Sequence, residues 1–237
     1  MTRRAVVFDL FHTLVDPEPL RPAGFDRIGT VASVCALDRA RLAEFWAATY
    51  VERETKPIDL LDLIQRHAVT CGIVLTDHQR ATLDGVFGAA ENAAILEPDD
   101  RLVGLVARLA EGMVVGVLSN CHEHEIRRWP DSPFAPHVAV FGGSCRIGAM
   151  KPDRRAYTWI IDELGADPAT SIYVGNGGSD ELAGAQEAGF GAVIHCNASD
   201  RLHGAVRPDE QRRRAKQADE SVDTIDELVD LLDRRVS

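Results

Sequence analysis

Ala5, Val6, Val7 and Phe8 are consecutive apolar residues, closed by the carboxylate of Asp9. So short a run, apolar at every position, predicts a strand buried on both faces and not a helix. Thr13, Leu14 and Val15 follow, and then Pro17, Pro19 and Pro22 break the chain. From about residue 25 to 94 strand-like runs nearly vanish. Apolar positions there fall at helical spacing: Leu42, Phe45, Trp46, Thr49 and Tyr50, then Leu60, Leu61, Ile64 and His67. This stretch predicts an inserted helical bundle. Glu97 to Asp100 form a second break, with Asp99 or Asp100 placed to cap a helix over residues 102–109. Beyond it, apolar runs at 113–118, 137–141, 171–174 and 192–196 alternate with helix-period segments, notably 155–164 and 180–188. Gly165 marks a helix stop, and 224–232, capped by Thr224, reads as a last helix.

Strands alternating with helices predict an α/β fold, a doubly wound, mainly parallel sheet of Rossmann-like form with helices on both faces. The expected division is a core made of residues 1–16 and 96–237, with an α-helical domain, 17–95, inserted between them. In an open parallel sheet, ligands bind beyond the carboxyl ends of the strands. Four polar clusters fall at those ends: Asp9 with Thr13, Ser119 with Asn120, Lys151, and Asn176 with Asp180. Far apart in sequence, they are expected to converge in space.

Composition narrows the picture. The 237 residues are 45% hydrophobic and 27% charged, which is ordinary for a globular chain, and long enough for a sizeable core. A net charge of -11 argues against nucleic acid as a partner, although a pocket needs only a few local cations to take an anion. The basic run Arg212, Arg213, Arg214 and Lys216 reads as a solvated face. Five cysteines with no C-x-x-C pair argue against a disulfide framework or a zinc site and fit a reducing cytoplasm. The N-terminal apolar run is too short for a signal peptide, and nothing approaches the roughly 20 apolar residues that span a bilayer. The expected protein is cytoplasmic, a monomer or homodimer, acting on a small molecule and not on a membrane.

Asp9-Leu10-Phe11-His12-Thr13-Leu14, Leu118-Ser119-Asn120, Lys151-Pro152, and Val174-Gly175-Asn176-Gly177-Gly178-Ser179-Asp180 occur in order, each at a strand end. Together they resemble the motifs of the haloacid dehalogenase superfamily, and the resemblance covers essentially the whole chain, with residues 17–95 matching its helical cap. It implies that Asp9 is a covalent nucleophile, forming an aspartyl ester that water hydrolyses. Thr13, Ser119 and the amide of Asn120 would bind the substrate's anionic oxygens. Lys151 would keep Asp9 ionised. Asp9, Asn176 and Asp180 would hold Mg²⁺ with oxygen ligands, helped by the Phe11 carbonyl. Phe11, His12, Trp46 and Tyr157 complete the expected substrate-binding set. Gly175 to Gly178 does not complete a dinucleotide loop. Cys121 to His124 reads as a helix start and not a metal cluster.

Two departures divide the readings. Phosphatases of this superfamily carry a second Asp two residues after the nucleophile, where this chain has Phe11, and an Asp where it has Asn176. The 2-haloacid dehalogenases lack that second Asp, have Tyr there, and use no metal. The segment Lys151 to Tyr157 looks like theirs. Their cap Arg has no clear match, since Ala47 follows Trp46 and Arg41 and Arg53 are only near. His12 is either a loop side chain or a substitute acid. Three readings follow: a Mg²⁺-assisted hydrolase of a small phosphorylated metabolite, a metal-independent dehalogenase-like hydrolase, and a non-hydrolytic or biosynthetic protein on the same fold.

Overall fold

The computed structural model describes residues 3–204 and 206–236, so the expected core ends at 1 and 237 lie outside the described residues. In chain order the strands are β1 (Ala5–Phe8), β2 (Val114–Ser119), β3 (Val140–Gly143), β4 (Ile172–Gly175), β5 (Ala192–Cys196) and β6 (Glu220–Val222). Between β1 and β2 lie α1 (Arg27–Cys35), α2 (Arg39–Ala48), α3 (Tyr50–Thr55), α4 (Leu60–Thr70), α5 (Asp77–Val86), α6 (Ala89–Leu96) and α7 (Asp100–Gly112). After β3 come α8 (Ser144–Ile147) and α9 (Arg154–Leu164), and after β4 comes α10 (Glu181–Ala188). Then follow α11 (Ala198–His203), α12 (Pro208–Ala215) and, after β6, α13 (Ile225–Val236).

The sheet is parallel throughout, in the order β3-β2-β1-β4-β5-β6. The period-two alternation of strand side chains sends successive residues to opposite faces. Val6 and Phe8 join a core with Leu105 and Leu109 of α7 and Leu228 of α13. Ala5 and Val7 join another with Ile160 of α9 and Leu182 of α10. Fully burying a side chain such as Phe8 stabilises the fold by about 1.5–3 kcal/mol, so both faces of β1 are strongly specified. The inserted helices close on a third core of their own, including Leu42, Leu60, Ile64, Leu83 and Phe87. The fold is thus the expected α/β sheet with an inserted α-helical cap.

Caps fix several boundaries. Asp99 accepts from Arg101 N at 2.9 Å and starts α7, and Thr224 accepts from Glu227 N at 3.1 Å at the start of α13. Gly165 ends α9 in the left-handed conformation, φ 59°. The strand expected at 137–141 begins later, because Pro136 draws Ala135–His137 into a 3₁₀ turn. The short edge strand β6 lies outside the expected set: Glu220, Ser221 and Val222 carry no apolar run. No helix among the described residues is long and apolar enough to cross a membrane.

The chain winds outward from β1 through β2 to β3, then returns to place β4 on the other side of β1. That reversal leaves a crevice at the carboxyl ends of β1 and β4.

Candidate active site

Asp9 is the first residue past β1, and its N–H donates to the Val174 carbonyl at 2.8 Å, which holds it in register with β4. The chain then turns sharply, with Leu14 N and Val15 N both donating to the Leu10 carbonyl at 2.9 and 3.0 Å. His12 occupies the left-handed region, φ 64°. This turn brings Thr13 back over Asp9, where its hydroxyl donates to Oδ2 at 3.1 Å. Lys151 Nζ donates to the other oxygen, Oδ1, at 2.5 Å. Both carboxylate oxygens of Asp9, a residue only 6% exposed, are therefore oriented.

Lys151 is itself carried by Asn120, whose side-chain amide donates to the Lys151 carbonyl at 2.9 Å and accepts from its N–H at 2.8 Å. Asn120 thus spends its side chain on placing the lysine. Lys151 Nζ also donates to Glu181 Oε2 at 2.5 Å. Burial alone would lower the lysine pKa, but Asp9 and Glu181 on either side raise it, so the ammonium persists. Burial and the nearby Asp9 push the Glu181 carboxyl up, against the pull of Lys151. Tyr173 OH donates to Glu181 Oε2 at 2.7 Å and Gly177 N to Oε1 at 2.9 Å.

Asp9, Lys151, Ser119, Asn120 and Asn176 line one cavity of about 470 Å³, together with Phe11 and His12. Thr13 touches Asp9 without lining the cavity, and three further expected site residues stand elsewhere. Asp180 has left-handed backbone, φ 53°, and its carboxylate turns outward to Arg213 Nη1 at 2.5 Å. Glu181, the next residue, is the one brought inward. Tyr157 is fully buried beneath α10 and donates to the Glu181 carbonyl at 2.7 Å, so it supports that glutamate and does not reach the cavity. Trp46 stacks on Phe87, ring centroids 5.8 Å apart, within the cap core. Tyr50, the first residue of α3, takes the cavity-facing place among the cap aromatics.

Of the three side chains expected to hold Mg²⁺, two are poorly placed for it. Asn176 is neutral and its Oδ1 already accepts from Gly178 N at 3.1 Å, while Asp180 faces away. The carboxylates of Asp9 and Glu181 are taken up by Thr13, Lys151, Tyr173 and Gly177. Among the described residues no group of three or more His, Cys, Asp or Glu is placed to hold a metal ion.

The opposite wall is built from residues that no sequence motif marks. Arg21 pairs with Glu18 at 2.7 Å and Glu91 at 2.6 Å, and Arg27 bridges Glu91 and Glu125 at 3.1 and 3.3 Å. Neither candidate cap arginine reaches the cavity: Arg41 is exposed, and Arg53 lies over the Trp46 ring, 4.1 Å from its centroid. His122 ties cap to core, with Nε2 2.9 Å from Glu54 of α3 and Nδ1 2.9 Å from Glu125. Burial would lower its pKa, but the two carboxylates raise it from 6.5 to about 10. Its stabilising contribution is therefore complete below pH 6.5 and is lost as the pH climbs towards 10. His122→Gln is expected to lower Tm by roughly 5–10 °C at pH 6. Thermal unfolding should show that deficit shrinking as the pH rises towards 10; a deficit independent of pH would refute the ion pair.

A family profile described as haloacid dehalogenase-like hydrolase matches residues 3–189. No curated protein matches the chain. Among solved structures, the chain is similar to the L-2-haloacid dehalogenase of Xanthobacter autotrophicus, at 19% identity and TM-score 0.56, covering 98% of each chain. It is similar to the 2-haloacid dehalogenase of Pseudomonas syringae pv. tomato DC3000, at 19% identity and TM-score 0.66, covering 98% of this chain and 99% of that one. A HAD phosphatase from Thermococcus onnurineus is 16% identical with TM-score 0.63, covering 97% of each. Likeness at these identities is a likeness of fold.

Proposed function

We propose, from the premise that this chain belongs to the haloacid dehalogenase-like hydrolases, that Asp9 performs a metal-independent displacement on a small substrate with a good leaving group. Oδ2 of Asp9 attacks a carbon that bears a halide or comparable group. The new C–O bond forms as the old bond breaks, and its electron pair departs with the leaving group. Water then attacks the carboxyl carbon of the aspartyl ester, and the alcohol product departs with the former Oδ2. Lys151, 2.5 Å from Oδ1, stabilises the charge that grows on that oxygen. In balance, R–X and water give R–OH, a proton and X⁻.

The observation that carries this choice is Phe11, which faces the cavity beside Asp9. No carboxyl stands two residues beyond the nucleophile to protonate an alkoxide, and a halide needs no proton. The cavity of about 470 Å³ suits a small molecule. The division into core segments 1–16 and 96–237 and a cap of 17–95 serves the same reading. In it the cap covers Asp9 and brings Arg21, Arg27, Tyr50 and Glu54 to the cavity.

Hydrolysis of a phosphorylated metabolite is the second reading, and His12 favours it. Burial works against its protonation, but Asp16, Glu18 and Asp9 raise its pKa, which favours a proton on an imidazole that lines the cavity. The oxygen donors give no support to the Mg²⁺-assisted form of that chemistry. The test is a panel of 2-chloropropionate and p-nitrophenyl phosphate, each with Mg²⁺ or with EDTA. The expected result is halide release that EDTA changes by less than about twofold. Phosphate release that requires Mg²⁺, without halide release, would overturn the first reading.

A further inference from the structure

The family match ends at residue 189, yet Ser199, Asp200, Val206 and Arg214 all line the cavity. Arg214, in α12, is the cation among them. Two consecutive arginines strap α12 to the loop after β4. Arg213 reaches Asp180, and Arg214 Nη1 donates to the Asn176 carbonyl at 3.2 Å and to Asp200 Oδ2 at 2.9 Å. Arg214 Nε donates to Glu210 Oε1 at 3.1 Å. The aliphatic stem lies on Gly177, whose φ is 84°, and a Cβ there would meet the stem at 2.9 Å. The side chain is 14% exposed, and its Nη2 has no hydrogen-bond partner among the described residues.

The other cavity cations also meet carboxylates. Lys151 is enclosed by Asp9 and Glu181, Arg21 by Glu18 and Glu91, and Arg27 by Glu91 and Glu125. Three hydrogen bonds through Nη1 and Nε fix the Arg214 guanidinium plane and leave the N–H groups of Nη2 to donate to an oxyanion. We propose that Arg214 is the specificity-determining residue of the cavity, binding a carboxylate or phosphate oxygen of the substrate while Asp9 attacks. This rests on the reading of the cavity as the site of an Asp9-dependent hydrolase. It assigns substrate recognition to a segment beyond the family match and not to a cap arginine.

Binding of two unreactive probes, lactate and inorganic phosphate, measured by calorimetry on the full chain, tests it. Arg214→Met should weaken the anion that binds by at least about tenfold, and Arg214→Lys should recover part of the loss. Glu210→Gln, which loosens α12 but keeps the guanidinium, should stay within about twofold of the wild type. Lactate binding alone identifies a carboxylate and phosphate binding alone identifies a phosphate; either supports the assignment. Equal losses in Glu210→Gln and Arg214→Met would reduce Arg214 to a strap and overturn it. So would an unaffected Arg214→Met, or a wild type that binds neither probe. The probes are not turned over, so failure of the Asp9 chemistry would appear in the turnover panel and leave this measurement intact.

Discussion

Asp9→Asn is expected to lower turnover by at least about 10³-fold while leaving the fold intact. The amide cannot supply the anionic oxygen that opens the ester pathway. It keeps the size of the carboxylate and can still accept from Lys151 or Thr13, which now donate at 2.5 and 3.1 Å. A second measurement separates the covalent route from direct attack by water. In a single turnover in ¹⁸O-water, the label should enter Asp9 first and reach the product only in later cycles, because the first product oxygen is the former Oδ2. Label in the first-turnover product, or an Asp9→Asn enzyme at wild-type rate, would sink the covalent mechanism.

The parts of this site legible in the sequence are those that depend on strand ends. Ala5–Phe8 is apolar at every position, so the end of a buried strand, and Asp9 beyond it, can be located without coordinates. The same holds for Ser119 at the end of β2 and Asn176 after β4. The parts that escape depend on rotation about a helix axis or on pairing over long distance. Asp180 and Glu181 are adjacent acids, and successive residues on a helix differ in direction by about 100°. Only the backbone at the start of α10 decides that Glu181 turns to Lys151 and Asp180 to Arg213. The basic run of α12 reads as a solvated face, which holds for exposed Arg212, while Arg214 is pulled inward by Asp200. Local pattern cannot reveal a partner 14 residues away. Trp46 and Tyr157 leave the expected site for a related reason: an aromatic at helical spacing fills a core as readily as it faces a ligand.

Phe11 and Glu181 change the character of the site together. Phe11 removes a proton donor from the mouth, and Glu181, engaged by Lys151, Tyr173 and Gly177, is held as part of a buried charge arrangement. Apart from His12, what remains is an oriented carboxylate, the proposed nucleophile, beside a fixed ammonium. That combination suits a reaction whose leaving group departs as a stable anion.

The buried ammonium should dominate stability as well as chemistry. Lys151→Met is expected to destabilise the protein by roughly 3–5 kcal/mol, because removing one partner of a buried ion pair strands the charge that is left. Here two carboxylates, Asp9 and Glu181, are stranded side by side. The pH dependence gives the sharper test. In the wild type the lysine pKa is raised above its ordinary 10.5, so its stabilising contribution is full below 10.5 and is lost only as the pH rises through the folded-state value. It therefore adds no slope between pH 5 and 8. In the variant the Glu181 carboxyl, already pushed up by burial and Asp9, loses the downward pull of Lys151 and rises further. The folded state then holds more protons than the unfolded chain, so stability falls as the pH rises through that elevated value. The variant's Tm deficit should accordingly be smaller at pH 5 than at pH 8, read by thermal unfolding of both proteins across that range. Equal deficits at both ends would mean that the two carboxylates do not depend on Lys151 for their charge.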